Sequence, residues 1–149
     1  MSEKSFDSHV LIALSSYYPD VAEELLTGAT DKLREARASW EVIEVPGAFE
    51  LPAVLRFASL SGKFDGYIAL GCVIRGVTSH YDLVCSESSR GISELSTRLQ
   101  LAVGYGILTT ETKEQALERA LVKKLNRGGD AATACLRMIE IRRQFTAQG

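Results

Sequence analysis

The stretch YIALGCVIRGVTSHY, residues Tyr67–Tyr81, decides the fold that this sequence predicts. Its first four residues are a continuous apolar run, which is typical of a strand buried on both faces. Beyond it, residues from Asp82 to Leu99 place apolar side chains at helical spacing. Gly76 to Ser79 is therefore predicted to be a strand-to-helix turn. Free N–H groups and the helix dipole make such a turn an anion pocket at the carboxyl edge of a sheet.

His80 follows this turn directly. The chain has two histidines, and His80 is the one outside the N-terminal segment. Histidine is the side chain best suited to move protons near neutral pH, so His80 is a candidate general acid and base. A single histidine also commonly caps a helix or packs on a surface, and its position alone does not separate these interpretations.

Strand and helix patterns alternate on both sides of this stretch. The other strands are predicted at Val10–Leu14, Trp40–Val45 and Ala102–Leu108. The other helices are predicted after an N-cap at Asp20, over 49–60, from a capping box at Thr112 through about Leu121, and over 131–145 after a break at 127–130. This alternation predicts the α/β class, a three-layer α/β/α sandwich with a four-stranded parallel sheet and right-handed crossovers.

Length and composition narrow the functional classes. A chain of 149 residues predicts one domain over 1–149, with a flexible N-terminal segment over 1–9. The net charge of −2 and the absence of a Lys- and Arg-rich run argue against a nucleic-acid partner. No apolar segment approaches the roughly 18–20 residues of a membrane span, and the polar N-terminus lacks a signal-peptide core. The three cysteines form no C-x-x-C pair, so we expect no metal site and a reduced, cytoplasmic protein.

Aromatic and polar residues follow every predicted strand. They are Tyr17 and Tyr18 after the first, Ala48, Phe49 and Glu50 after the second, Gly76 to His80 after the third, and Tyr105 to Thr110 at the fourth. Ligands of open parallel sheets bind outside the carboxyl ends of the strands. Aromatic rings can stack on a planar heterocycle, and a carboxylate can accept hydrogen bonds from hydroxyls. Each residue alone has an ordinary structural explanation, but their convergence on one edge predicts a binding site.

Three segments of the chain resemble one enzyme family. VPGAFELP (Val45–Pro52) and GCVIRGVTSHYD (Gly71–Asp82) are similar to the two signature segments of lumazine synthases. A third, Gly106–Thr110 followed by Glu114-Gln115-Ala116 and Arg119, matches in order and spacing. The resemblance runs from about Val10 to Phe145 and implies a flavodoxin-like topology.

The resemblance also implies an activity and an assembly. Members condense 5-amino-6-(D-ribitylamino)uracil with 3,4-dihydroxy-2-butanone 4-phosphate, without a cofactor, and release phosphate and water in the penultimate step of riboflavin biosynthesis. The protein is then expected to be a homo-oligomer, a pentamer with active sites between subunits. Capsid-forming members resemble one another in a Gly- and Asn-containing turn near the start of the last helix. Residues 121–129 lack the typical small-residue pattern of that turn, which favours an isolated pentamer over a sixty-subunit shell.

The site residues carry over position by position as implications of the resemblance. Around the ribitylaminouracil it places Tyr17, Ala48, Phe49, Glu50, Cys72, Val73, Ile74 and Tyr105. At the butanone phosphate it places the N–H groups of Val77 and Thr78 and the guanidinium of Arg119, and it gives proton transfer to His80. The family usually has Phe or Trp followed by Asn where this chain has Tyr17-Tyr18. Which tyrosine stacks is therefore open, and the register favours Tyr17.

Other functions on a similar scaffold fit the sequence less well. A flavin or lumazine carrier would keep Tyr17, Phe49 and Glu50 but would not need His80 and Arg119 beside a phosphate pocket. A receiver domain needs acidic residues after the first strand, where Ser15-Ser16 stand. A flavodoxin-like electron carrier needs a hydroxyl-rich phosphate loop at the same place, which Tyr17-Tyr18-Pro19 does not supply.

Overall fold

The computed structural model describes residues 8–146 as four strands, five α-helices and one turn of 3₁₀ helix. In chain order these are β1 (His9–Ser15), α1 (Pro19–Glu35), β2 (Ser39–Val45), the 3₁₀ turn (Ala48–Glu50), α2 (Leu51–Ser59), β3 (Gly66–Ile74), α3 (His80–Leu99), β4 (Val103–Thr110), α4 (Lys113–Ala120) and α5 (Arg127–Thr146).

The strands form one sheet in the order β2-β1-β3-β4, and every neighbouring pair is parallel. The order and the crossovers are those of a flavodoxin-like sheet. At the carboxyl edge Ser15 of β1 pairs with Val45 of β2, and Ile74 of β3 pairs with Thr110 of β4. The loops after these residues open onto one side of the molecule.

Two apolar clusters cover the two faces of the sheet. Because side chains alternate along a strand, Val10, Ile12 and Leu14 of β1 pack against α1, α4 and α5. Leu11 and Ala13 point the other way, into the cluster under α2 and α3. Both faces of β1 are buried, as the continuous apolar run predicts. The predicted three-layer α/β/α sandwich is confirmed.

The predicted N-cap of α1 is wrong. The helix begins at Pro19, with Tyr18 at the N-cap position and no side-chain capping bond. Proline suits the first helical position because its fixed φ is helical and its missing N–H would have no partner there. Asp20 lies in the first turn, where its carboxylate accepts a hydrogen bond from the Val21 N–H at 2.9 Å and pairs with Lys113 at 3.1 Å.

The predicted break at Arg127–Asp130 is also wrong, because these residues form the first turn of α5. Two adjacent glycines usually interrupt a helix, but here Gly128 and Gly129 are buried where α5 crosses α1. A Cβ on Gly128 would lie 2.1 Å from the backbone oxygen of Leu25. The missing side chains therefore allow the two helix backbones to touch.

The remaining boundaries differ by a few residues from those predicted. The strand before the glycine turn continues to Ile74, and α3 begins at His80 rather than Asp82. The capping box of α4 is confirmed: the Gln115 N–H donates to Thr112 Oγ1 at 3.1 Å, and the Thr112 N–H donates to Gln115 Oε1 at 3.4 Å.

The predicted flexible segment over 1–9 falls mostly on residues 1–7, which lie outside the described residues. His9 belongs to β1, and Ser8 is buried. Within residues 8–146, no helix combines the length and the hydropathy that a membrane crossing requires.

Candidate active site

A cavity of about 330 Å³ lies at the carboxyl ends of β1, β2 and β3. Nine of the twelve predicted site residues line it: Tyr17, Ala48, Phe49, Glu50, Cys72, Val73, Ile74, Thr78 and His80. Residues from three separate loops and one strand thus converge at one place. We call this the His80 cavity.

His80 is the first residue of α3, at the rim of this cavity. Its backbone N–H donates to Thr78 Oγ1 at 3.3 Å, which shapes the preceding turn. The imidazole is exposed and has no hydrogen bond to any residue within 8–146. Both ring nitrogens are therefore available to a bound molecule.

The turn before α3 presents unpaired backbone donors. Within the described residues, the N–H groups of Val77 and Thr78 make no hydrogen bond. The side chain of Val77 is fully exposed and does not line the cavity, so Val77 can contribute only through its backbone. N–H groups at a helix N-terminus favour an anion.

Tyr17 and Tyr18 differ in their freedom to meet a ligand. The Tyr17 side chain is 70% exposed, whereas Tyr18 packs against the core. Their rings meet edge to face at 5.0 Å, and Lys113 Nζ lies 5.8 Å from the Tyr18 ring centroid. Tyr18 therefore packs against Tyr17 from the core side, and the ring that a ligand can reach is that of Tyr17.

Phe49 and Glu50 come from the 3₁₀ turn after β2. Glu50 Oε1 accepts a hydrogen bond from the Gly47 N–H at 3.1 Å, which folds the carboxylate back over its own turn. No residue within 8–146 donates to Oε2, so this oxygen can accept a ligand hydroxyl. Phe49 is exposed, and Ala48 is buried.

Cys72, Val73 and Ile74 form the wall that β3 contributes. Burial raises the pKa of the Cys72 thiol to about 12. The thiol is neutral at physiological pH and is therefore a packing group rather than a nucleophile. No group of three or more potential metal-ligating side chains occurs within the described range 8–146.

Tyr105 and Arg119 do not reach the His80 cavity of their own chain. They line a second cavity of about 450 Å³ with Thr109, Arg127 and Asp130. Tyr105 is the third residue of β4, where it pairs with Ala69 of β3, five residues before the carboxyl end of β4 at Thr110. The prediction that it lies at the strand end is wrong, because β4 continues to Thr110. We call this second site the Arg119 cavity.

Arg127 is a further candidate residue, which the sequence does not single out because the adjacent glycines indicate a helix break there. It lines the Arg119 cavity and pairs with Asp130 at 3.0 Å. Arg119 donates to the backbone oxygen of Gln115 at 3.0 Å. The signal for Arg127 is a second basic residue eight positions after Arg119, at the start of the next helix.

The comparisons with known proteins agree with this geometry. The sequence profile of the family described as 6,7-dimethyl-8-ribityllumazine synthase matches residues 7–143. A protein of that name from Bartonella tribocorum is 45% identical over 146 residues, which cover 97% of each chain. Namesakes from Bartonella henselae and Methylobacterium radiotolerans are each 44% identical, over 92% and 91% of this chain and 90% and 83% of their own. Since the profile spans nearly the whole chain and its signature segments build the His80 cavity, this chain belongs to the 6,7-dimethyl-8-ribityllumazine synthase family.

Proposed function

We propose that this protein condenses 5-amino-6-(D-ribitylamino)uracil with 3,4-dihydroxy-2-butanone 4-phosphate to give 6,7-dimethyl-8-ribityllumazine, phosphate and water. The observation that carries the proposal is the His80 cavity, where the aromatic face of Tyr17 meets a carboxylate oxygen and an imidazole that have no partner among residues 8–146. Membership in the family supports the same reaction.

In this proposal the pyrimidine ring stacks on Tyr17. Phe49 and Glu50 lie beside the ribityl chain, with Glu50 Oε2 as an acceptor for its hydroxyls. Cys72, Val73 and Ile74 close the cavity from the β3 side. The N–H groups of Val77 and Thr78 face the phosphate of the second substrate, which would sit at the N-terminus of α3.

His80 serves two successive proton transfers. The amine adds to the ketone, and the carbinolamine oxygen needs a proton before it leaves as water. Loss of phosphate from the resulting imine needs a proton removed from the adjacent carbon. One imidazole can donate the first proton and accept the second. Positioning of the two substrates contributes more, up to about 7–11 kcal/mol in ideal geometry.

Arg119 and Tyr105 enter the proposal through a second copy of the chain. Since they line a different cavity from His80, a complete site needs the Arg119 cavity of one copy against the His80 cavity of its neighbour. A guanidinium is suited to bidentate phosphate binding, and Arg127 adds a second cation there. Tyr105 would then close the site from the neighbouring subunit.

A carrier that binds flavin or lumazine without turnover is not favoured. It gives no role to a histidine with both ring nitrogens free beside unpaired N–H donors.

The decisive experiment mixes the purified protein with both substrates and follows lumazine absorbance and released phosphate against the spontaneous reaction. Rapid formation of both products supports the synthase, whereas tight lumazine binding with no acceleration supports the carrier.

Replacing Arg119 with alanine should raise the KM for the butanone phosphate about tenfold or more, since a charge-assisted phosphate contact is lost. The KM for the uracil substrate should change little, because that substrate is assigned to the His80 cavity. Steady-state kinetics with each substrate varied in turn measure both values. Arg137→Ala is a matched control, because Arg137 is an exposed arginine on α5 that pairs with Glu140 and lines neither cavity. Equal changes in both KM values would contradict the assigned role.

The proposed assembly is an isolated pentamer. All-parallel sheets are normally covered on both faces, yet Val42 and Ile43 of the edge strand β2 are 41% and 45% exposed. These adjacent residues point to opposite faces, so residues 8–146 do not fully cover either face of β2. A neighbouring copy would supply the missing cover.

The reduced cysteines support a cytoplasmic location, since none of the three forms a disulfide.

Replacing Ile43 with glutamate should break this assembly, because a charge would be buried in the contact between copies. Sedimentation equilibrium should give about five times the 16.3 kDa chain mass for the parent and a lower mass for the variant. Ile43→Val is the control and should keep the parent mass. A pentamer that survives Ile43→Glu would place β2 outside the contact.

A further inference from the structure

The side chain of His80 is held by nothing in its own cavity. Within the described residues its ring has no hydrogen bond, and the Ser79 hydroxyl does not cap α3. The position of the imidazole thus depends on where the first turn of α3 lies relative to the sheet. The groups that attach this turn are the next two residues, Tyr81 and Asp82.

Arg75 connects both of these residues to the sheet. It follows the last residue of β3, and its backbone N–H donates to the Thr110 oxygen of β4 at 2.9 Å. Its guanidinium lies 4.3 Å above the centroid of the Tyr81 ring, and Nη2 is 3.5 Å from Asp82 Oδ1. Its Nε donates to both carboxylate oxygens of Glu111, at 3.0 and 3.2 Å.

Tyr81 lies between Arg75 and the cavity. Its ring lines the His80 cavity, and the Arg75 guanidinium covers one face of the ring. The position of the ring therefore depends on Arg75. Since Tyr81 is bonded to His80 along the chain, fixing this ring also fixes the start of α3.

Two simpler explanations of Arg75 fit the contacts poorly. As a stabilising ion pair it would contribute little, because Arg75, Asp82 and Glu111 are 41%, 64% and 59% exposed and exposed pairs are weak. As a phosphate ligand it would have to leave two carboxylates that already neutralise its charge. Pairing with Glu111 also raises the pKa of Arg75, so its charge is constant through the assay range.

We propose that Arg75 is a positioning residue for His80: it clamps the first turn of α3 through Tyr81, Asp82 and Glu111 and sets where the imidazole meets the substrate. The proposal rests on the proposed function, in which His80 transfers protons. Arg75 touches no reacting atom and acts only through the residue that does.

The test is a double-mutant cycle between Arg75 and His80 in the condensation assay. Arg75→Gln should lower kcat about tenfold, which is a part of the roughly 10²–10⁴-fold that general acid–base catalysis supplies. Both KM values and the melting temperature should stay near the parent values. Arg75→Lys keeps the charge but not the planar stack on Tyr81. Its kcat should therefore lie between those of the parent and Arg75→Gln. In the His80→Ala background, Arg75→Gln should have no further effect on kcat.

The controls separate the possible failures. Arg90→Gln removes an exposed arginine of α3 that pairs with Glu87 and Glu94, far along the helix from His80, and should leave kcat unchanged. A tenfold loss that persists in the His80→Ala background overturns the proposal, as does a change in the phosphate-substrate KM alone. A parent enzyme that fails to turn over instead overturns the proposed function. A His80→Ala variant as fast as the parent overturns the role proposed for His80, and with it the positioning role of Arg75.

Discussion

Replacing His80 with alanine should lower kcat by a factor of about 10²–10⁴ without abolishing turnover, since this is the range that one general acid–base group supplies. The remaining rate comes from holding two substrates together, which His80 does not do. The variant should fold normally, because the imidazole is exposed at the first position of α3 and bonds to no residue within 8–146. Initial rates of lumazine formation, compared with the spontaneous reaction, measure the loss.

Ser79→Ala is the matched control for this variant. Ser79 lies next to His80, is exposed, and makes no capping bond to α3, so its removal should leave kcat near the parent value. Complete loss of acceleration in folded His80→Ala would show that proton transfer dominates the catalysis. An unchanged kcat would assign the proton transfers to another group.

Gly128→Ala should cost about 3 kcal/mol or more of the free energy of unfolding, at the upper end of the range for overpacked sites. The new Cβ would lie 2.1 Å from the Leu25 oxygen and 2.8 and 2.9 Å from its carbonyl carbon and Cα. These are backbone atoms inside α1, which cannot rotate away as a side chain does. The helices α1 and α5 would have to separate along their contact.

Denaturant unfolding at one fixed protein concentration measures this cost. Gly76→Ala is the control, because a Cβ there meets nothing within 4 Å and the backbone needs no positive φ. It should leave the free energy of unfolding almost unchanged or raise it slightly. Equal midpoints for the parent and Gly128→Ala would show that the α1–α5 contact adjusts easily.

The strands and the glycine turn could be predicted because their signals are local. The apolar run of Val10–Leu14 and the turn at Gly76–Ser79 depend on neighbours in the sequence, and both predictions are confirmed with small shifts. The start of α5 could not be predicted in this way. Gly128 and Gly129 weaken a helix by their own propensity, and only the tertiary contact with α1 explains them.

In the candidate site, too, some features follow from local sequence signals and others depend on tertiary structure. Residues at strand ends converge on the His80 cavity, as the rule for parallel sheets predicts. Tyr105 lies elsewhere because it is the third residue of β4, which continues for five more residues to Thr110. The clamp around Arg75 depends on side-chain directions, which no spacing in the sequence reveals.

The separation of the His80 and Arg119 cavities also has a consequence for natural selection on this protein. If each active site draws on two chains, a folded but solitary chain holds two incomplete halves. A substitution that only weakens the contact between copies would then remove activity while every chain stays intact. Natural selection would then act on the contact surface and the catalytic residues together. The catalytic activity in the cell would depend on the concentration of the chain, because complete sites form only when chains associate.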